Sequence, residues 1–157
     1  MKIKLLSIGK TEENYLKEGI ETYIKKIEHY FPFEYEELPA LKQTKKLNFL
    51  EQKKREGDIL LKKITASDFV ILLDEKGKHY SSIEFSEFLQ QRMMQNCKQI
   101  IFVIGGAYGF SDAVYQRKNH AVSLSPMTFS HQMVRLIFVE QLYRGASILK
   151  HEPYHHD

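Results

Sequence analysis

The sequence predicts a single α/β domain over residues 1–157, built on a mostly parallel β-sheet. Two apolar runs, at residues 69–73 and 99–104, contain no charged side chain. Such runs are typical of central strands that are buried on both faces. Segments with the apolar spacing of amphipathic helices alternate with these runs. Alternating strands and helices supply the crossover connections that a parallel sheet requires.

The first half of the chain predicts two strands and two helices. Residues 2–9 are rich in Ile and Leu and predict the first strand. Residues 12–30 have helical apolar spacing, and Thr11 is placed to cap the start of that helix. Residues 33–38 alternate between two prolines and predict a second strand. Residues 46–64 predict a charged helix with an apolar side.

The second half continues the alternation. Residues 74–78 follow the buried run 69–73 and predict a loop, since they are charged and contain a glycine. Residues 82–95 predict a helix that starts at Ser81 or Ser82, with Glu84 nearby for a capping box. The remaining elements are a strand at 99–104, a short helix from 112 to about 118, a strand at 121–124 and a helix at 130–149.

The composition narrows the class of protein. Charged residues make up 27% of the chain and hydrophobic residues 43%, which is ordinary for a globular domain. Cys97 is the only cysteine, so no disulfide within the chain is possible, which fits a cytoplasmic protein. No apolar run approaches the ~20 residues that a membrane span needs. The N-terminal residues indicate a buried first strand rather than a signal peptide.

Charge is unevenly distributed along the chain. The formal net charge of +3 is mild for a protein that binds RNA by charge alone. Basic residues are nevertheless concentrated between residues 42 and 63, a range called here the basic segment. It contains Lys42, Lys45, Lys46, Lys53, Lys54, Arg55, Lys62 and Lys63. Two interpretations stay open: a solvated helix face, or a surface that meets phosphate groups.

Three segments follow predicted strands, at the edge of a parallel sheet where ligands bind. They are residues 73–78, 105–110 and 124–129. Residues 105–109, Gly-Gly-Ala-Tyr-Gly, suit either a plain tight turn or the close approach of a nucleotide-like cofactor. Their spacing differs from the dinucleotide fingerprint, and no phosphate-cradling loop is present. The histidines lack the spacing of a metal site, so we expect no metal.

An ordered set of motifs carries a resemblance that no single motif carries alone. The motifs lie at residues 72–78, 102–109, 124–135, 140–144 and 152–156. With them the whole chain resembles the ribosomal large subunit methyltransferase H family of the SPOUT superfamily. The resemblance implies an α/β fold whose C-terminal part forms a trefoil knot, an exception to the rule of unknotted chains. It also implies a homodimer with the active site near the subunit interface.

The resemblance further implies the reaction and its residues. The cofactor is S-adenosylmethionine, and the substrate is N3 of a pseudouridine in large-subunit (23S) rRNA of the assembled ribosome. Cofactor contacts are implied for Leu73, Gly105, Leu124, Ser125, Pro126, Met127, Thr128 and Phe129. Catalytic roles are expected for Tyr154 and His155, since both side chains can move protons. Substrate contacts are expected for His131, Arg135 and His156.

Other interpretations stay open at this point. His131 and Arg135 could instead serve in capping and interface packing, and His156 stands where some family members carry arginine. A SPOUT methyltransferase with a tRNA target, or a noncatalytic ribosome-associated factor that keeps a cofactor pocket, would share much of the pattern. A nucleotide-binding enzyme of flavodoxin-like fold is less consistent with the glycine spacing and with the C-terminal residues.

Overall fold

The computed structural model describes residues 1–156, which form a parallel β-sheet between two layers of helices. The strands are β1 (Lys2–Ile8), β2 (Phe33–Leu38), β3 (Phe69–His79), β4 (Gln99–Ile104) and β5 (His120–Ser123). The helices are α1 (Asn14–Ile27), α2 (Phe49–Leu61), α3 (Ser82–Met94), α4 (Asp112–Arg117) and α5 (Met133–Leu149). The strand order is β2-β1-β4-β3-β5. The predicted α/β class and parallel sheet are confirmed.

Apolar side chains cover both faces of the sheet. On one face Leu5, Ile71 and Phe102 pack with Phe138 and Leu142 of α5, and all five are fully buried. The core on the other face consists of Leu6, Ile8, Leu38, Leu60, Val70, Leu72, Ile101, Val103, Phe110 and Val114. Successive side chains of each strand point to opposite faces of the sheet. This double burial explains why the central strands are uninterrupted apolar runs in the sequence.

The predicted loop at residues 74–78 is wrong, because β3 continues through it to His79. The pairing with β5 shifts register between Leu73 and Lys78, and both residues pair with Val122. Gly77 permits this close approach, since a Cβ atom there would lie 2.6 Å from the backbone nitrogen of Val122. The charged side chains of this stretch are mostly exposed, so the strand lacks the apolar pattern that would have predicted it.

The predicted cap of α1 is also corrected. Glu13 occupies the N-cap position without a side-chain hydrogen bond, and the helix starts at Asn14. Thr11 is buried and donates its hydroxyl to the Glu37 carboxylate at 2.7 Å. The Thr11 hydroxyl therefore fixes the segment before α1 against the end of β2. A hydrogen bond to a charged carboxylate is stronger than one to a neutral acceptor.

The predicted start of α3 is confirmed. The Ser81 hydroxyl accepts a hydrogen bond from the Glu84 backbone at 3.2 Å, and the Glu84 carboxylate accepts one from the Ser81 backbone at 2.7 Å. This is a complete capping box. Over residues 1–156, the structure contains no helix with the length and apolarity to cross a lipid bilayer. The C-terminal trefoil knot stays a prediction.

Candidate active site

The carboxyl ends of three adjacent strands meet at one edge of the sheet. Leu73 of β3 lies beside Ile104 of β4 and Val122 of β5 in the parallel register. A cleft of about 620 Å³ opens at this edge, lined by the segments that follow these positions. A cleft of that volume holds a cofactor-sized molecule, and its place is the usual ligand site of a parallel sheet.

One wall of the cleft is the turn at residues 105–109, named here the glycine turn. The Gly109 amide donates a 3.1 Å hydrogen bond to the Gly106 carbonyl and closes the turn. A Cβ atom on Gly106 would lie 2.4 Å from Oε2 of Glu56, and Gly109 has a φ of +83°. Gly109 is therefore favoured by its positive φ, and a side chain at Gly106 would meet the Glu56 carboxylate. The bare backbone lets a ligand approach.

The facing wall is the segment of residues 124–129, named here the cofactor loop. The Ser125 hydroxyl accepts a 2.9 Å hydrogen bond from the Met127 amide, which fixes a local turn. Just beyond, the Ser130 hydroxyl accepts one from the Met133 amide at 3.0 Å at the start of α5. Seven of the eight residues expected to contact cofactor line the cleft: Leu73, Gly105, Leu124, Ser125, Met127, Thr128 and Phe129. Pro126 is exposed and does not line it.

The cleft is also lined by polar residues that were not among the expected site residues, including Lys53, Asp74 and Tyr115. The Tyr115 hydroxyl donates to the Asp74 carboxylate. Burial, and then this hydrogen bond, raise the pKa of Tyr115 well above its ordinary value, so the phenol stays neutral. Asp74 lies inside a motif that carries the resemblance and Lys53 lies in the basic segment, whereas nothing in the local pattern around Tyr115 indicates a site.

A buried carboxyl group lies behind the glycine turn. Glu56 of α2 is 6% exposed, and its Oε2 atom has no hydrogen-bond partner among residues 1–156. The Gln52 side chain donates to its Oε1 at 3.2 Å. Burial raises the pKa of the Glu56 carboxyl above its ordinary value. The unpaired oxygen faces Gly106, so it is an orphaned polar atom at the wall of the cleft.

The C-terminal tail, residues 151–156, folds back on the second half of α5. The Tyr154 hydroxyl donates to the Glu140 carboxylate at 3.0 Å, and its ring packs on Tyr143 with centroids 4.6 Å apart. Arg144 lies over the Tyr154 ring at 4.7 Å, and its guanidinium reaches Nδ1 of His155 at 3.4 Å. The two expected catalytic residues are therefore held together by partners on α5 that sequence reasoning did not select.

The tail and the cleft are at opposite ends of α5 within one chain. Val134 lines the cleft, whereas Tyr143 and Arg144 contact the tail. The rise of an α-helix separates Val134 from Tyr143 by about 14 Å along the axis. Within a single chain the expected cofactor residues thus form one group and the expected catalytic residues form another. The two groups lie in separate places.

The expected substrate residues have different surroundings. His131 is exposed and lines the cleft, and His156 is exposed in the tail. The expectation that Arg135 reaches RNA is corrected, because this residue is 0% exposed. Its guanidinium donates to the carbonyls of Ile8 and Gly9, each at 2.9 Å. Arg135 therefore has a structural role within the chain, since its guanidinium is held by backbone carbonyls.

Among residues 1–156, no group of three or more His, Cys, Asp or Glu side chains is arranged to hold a metal ion.

Comparisons with known proteins give the same family throughout. A sequence model described as "Predicted SPOUT methyltransferase" matches residues 1–155. A protein of Christiangramia forsetii named "Ribosomal RNA large subunit methyltransferase H" is 55% identical over 156 residues, which cover 99% of both chains. Proteins of the same name from Parabacteroides distasonis and Phocaeicola vulgatus are 50% and 45% identical over 157 residues, the full length of each chain. The chain belongs to the SPOUT methyltransferase family.

Proposed function

We propose that this methyltransferase transfers a methyl group from S-adenosylmethionine to N3 of a pseudouridine in large-subunit (23S) rRNA. Its substrate is the assembled ribosome, and its place of action is the cytoplasm. The observation that carries the proposal is the cleft at the carboxyl edge of the sheet, in a chain that matches end to end proteins named for large-subunit rRNA methylation. The cleft supplies a cofactor site and the family supplies the reaction class.

The cleft residues fit S-adenosylmethionine. The glycine turn offers bare backbone on one side, and the cofactor loop offers backbone amides and carbonyls for an adenine edge on the other. Leu73 and Met127 supply apolar contacts, as ligand pockets usually combine an apolar lining with a few polar groups. When bound, the cofactor supplies an electrophilic methyl group on its sulfonium. The task left to the chain is to place the target nitrogen in line and to move one proton.

Tyr154 and His155 are the groups proposed for the target base. Burial, and then hydrogen bonds with Tyr23 and Glu140, raise the pKa of Tyr154 above its ordinary value. Tyr154 therefore stays protonated near neutral pH. Its hydroxyl proton goes to Glu140 in this structure, and it is proposed to turn to the base and orient it when RNA binds. The His155 imidazole can act as a general base, so His155 is proposed to take the N3 proton. Arg144 positions both, through the ring of Tyr154 and the Nδ1 atom of His155.

The separation of tail and cleft supports action as a homodimer. About 14 Å of α5 lies between the two groups of residues in one chain, too far for a methyl group to be passed directly. A second copy that brings its tail to the cleft of the first would complete the site. His131 and His156, both exposed, are proposed to contact the RNA at that junction.

The test is transfer of labelled methyl groups from S-adenosylmethionine to ribosomes that lack the modification. Wild type is compared with the double variant Y154F/H155A and with Y15F, a matched change at an exposed tyrosine of α1. We expect label in large-subunit rRNA with wild type and Y15F, and strongly reduced label with the double variant. Label that appears only in tRNA would show that the target is tRNA and not rRNA. No label on ribosomes that a relative does methylate would overturn the proposal.

A further inference from the structure

Two aromatic side chains lie in contact at the rim of the cleft, with their rings tilted against each other. The ring centroids of Phe49 and Tyr108 lie 4.6 Å apart, with an interplanar angle of 36°. Phe49 is 65% exposed and Tyr108 is 46% exposed, so water covers much of both rings. Tyr108 belongs to the glycine turn and lines the cleft, whereas Phe49 is the first residue of α2. The pair therefore joins the cleft, through Tyr108, to the basic segment, through Phe49.

Positive charge lies beside this pair. Lys53 follows Phe49 by one helical turn, on the same side of α2, and lines the cleft. Lys53 makes no ion pair with any of residues 1–156. The basic segment contains eight Lys and Arg residues and three acidic ones, so it carries more net positive charge than the whole chain with its +3.

Exposed rings next to a lysine without an ion pair fit a nucleic acid. Unpaired RNA bases stack on aromatic side chains, while nearby cations neutralise the backbone phosphates. A second copy of the chain could cover the same surface through a twofold axis. The two basic segments would then face each other, and their like charges would repel. Charge complementarity therefore favours RNA over another copy of this protein.

We propose that Phe49 and Tyr108 form a platform on which an unpaired rRNA base stacks next to the methylated nucleotide, while Lys53 contacts a neighbouring phosphate. The proposal rests on the rRNA methyltransferase function. Because Tyr108 and Lys53 also line the cleft, the stacked base lies beside the nucleotide that reaches the cofactor. The platform then contributes to substrate affinity and leaves the chemical step to the residues of the tail.

The first experiment measures methyl transfer to unmodified ribosomes at saturating cofactor for F49A, Y108A, Y108F and Y15A. The loss of one stacked base raises the KM for ribosomes by about 5- to 100-fold, with a smaller change in kcat. Y108F keeps the ring and should recover most of the affinity that Y108A loses. Y15A removes a tyrosine that is 60% exposed on α1 and does not line the cleft, and it should match wild type. Cofactor affinity of F49A, measured by calorimetry, should also match wild type.

The second experiment does not depend on catalysis. A single-stranded RNA that contains 2-aminopurine loses fluorescence when that base stacks, so wild type should quench it and F49A should not. Quenching by wild type that F49A loses would support the platform even if ribosomes are not methylated. An F49A variant with wild-type KM and wild-type quenching would overturn it. A change of oligomeric mass in F49A, with unchanged RNA binding, would reassign the surface to a protein interface and equally overturn it.

Discussion

Nη1 of Arg135 lies 2.9 Å from Oε2 of Glu37, and this ion pair joins the first turns of α5 to the end of β2. The Arg135 side chain is 1% exposed and the Glu37 side chain 31% exposed. The same guanidinium donates to the carbonyls of Ile8 and Gly9 at the end of β1 and to the Thr11 hydroxyl at 3.0 Å. A buried cation is stable only when its donors are satisfied in this way. Arg135 therefore fixes the start of α5, where the wall of the cleft begins.

Removal of this side chain should destabilise the protein severely. R135A leaves the Glu37 carboxylate and two backbone carbonyls without their donor, and the loss of one partner from a buried pair costs about 3–5 kcal/mol. The free energy of unfolding is measured by urea denaturation. R55A, at an exposed position of the basic segment, is the control and should change it by less than about 0.5 kcal/mol. A loss below about 1 kcal/mol in R135A would show that water replaces these contacts.

Addition of a methyl group to the glycine turn should weaken cofactor binding. In G106A the new Cβ atom would lie 2.4 Å from the Glu56 carboxylate, so the buried Glu56 side chain, the turn or α2 must move. Overpacking of this kind costs about 1–3 kcal/mol, and we expect a cofactor Kd raised by about tenfold as the wall shifts. Calorimetric titration with S-adenosylmethionine measures the change.

A second substitution separates the clash from other effects of alanine in the turn. E56A removes the carboxylate that the new methyl group would meet, so G106A/E56A should bind the cofactor more tightly than G106A alone. If the double variant binds as weakly as the single one, the backbone of Gly106 itself, rather than its spacing from Glu56, determines affinity.

Glu56 should also make stability depend on pH. Its folded-state pKa is raised above the ordinary 4.5 by burial, so the folded protein holds this proton more tightly than the unfolded chain does. The resulting stabilisation is complete below about pH 4.5 and is lost as the pH rises through the folded-state pKa. E56Q is neutral throughout, so its melting temperature should exceed that of wild type at pH 8, and the difference should shrink toward pH 5.

Thermal unfolding of wild type, E56Q and E87Q between pH 5 and 8 checks this dependence. Glu87 is an exposed glutamate of α3, so E87Q makes the same chemical change without burial and should show no such trend. A lower melting temperature for E56Q at pH 8 would mean that the ionised carboxylate gains more from its neighbours than burial costs it.

The tyrosine of the tail should act without ionising. Burial and the contacts with Tyr23 and Glu140 raise the pKa of Tyr154, so no deprotonation of this phenol occurs below about pH 10. Y154F should lower kcat through the lost donor, yet its profile of kcat against pH should keep the wild-type shape from about pH 6 to 9. The profiles are measured by methyl transfer to unmodified ribosomes. A limb of the wild-type profile that vanishes in Y154F would make Tyr154 the proton acceptor.

The parts of the fold that sequence predicted well are those with a strong local signal. The apolar runs of β3 and β4 required burial on both faces, and Ser81 and Glu84 had the spacing of a capping box. The extension of β3 through residues 74–78 was missed because its partner, β5, is more than 40 residues away and its side chains are charged. Local patterns carry no information on such pairing.

In the candidate site, too, the residues with a sequence signal were predicted and those that depend on the three-dimensional arrangement were not. The residues of the cofactor loop follow a short strand at the ligand edge of a parallel sheet, so topology and family resemblance placed them correctly in the cleft. Arg135 was misjudged because a charged side chain is ordinarily expected at the surface, and only the three-dimensional arrangement reveals its carbonyl acceptors. The distance of the tail from the cleft depends on how residues 151–156 turn back, which no local pattern records.

The strand order has a consequence for synthesis on the ribosome. Because β4 lies between β1 and β3, a nascent chain that has emerged only through β3 has two strand regions with a gap between them. Both are among the most apolar parts of the protein; the gap stays open until residues 99–104 arrive, and one face of the sheet stays uncovered until α5 arrives. Newly made chains therefore pass through an interval in which chaperones that bind apolar segments would find their best binding sites, and that interval ends only after α5 has been translated.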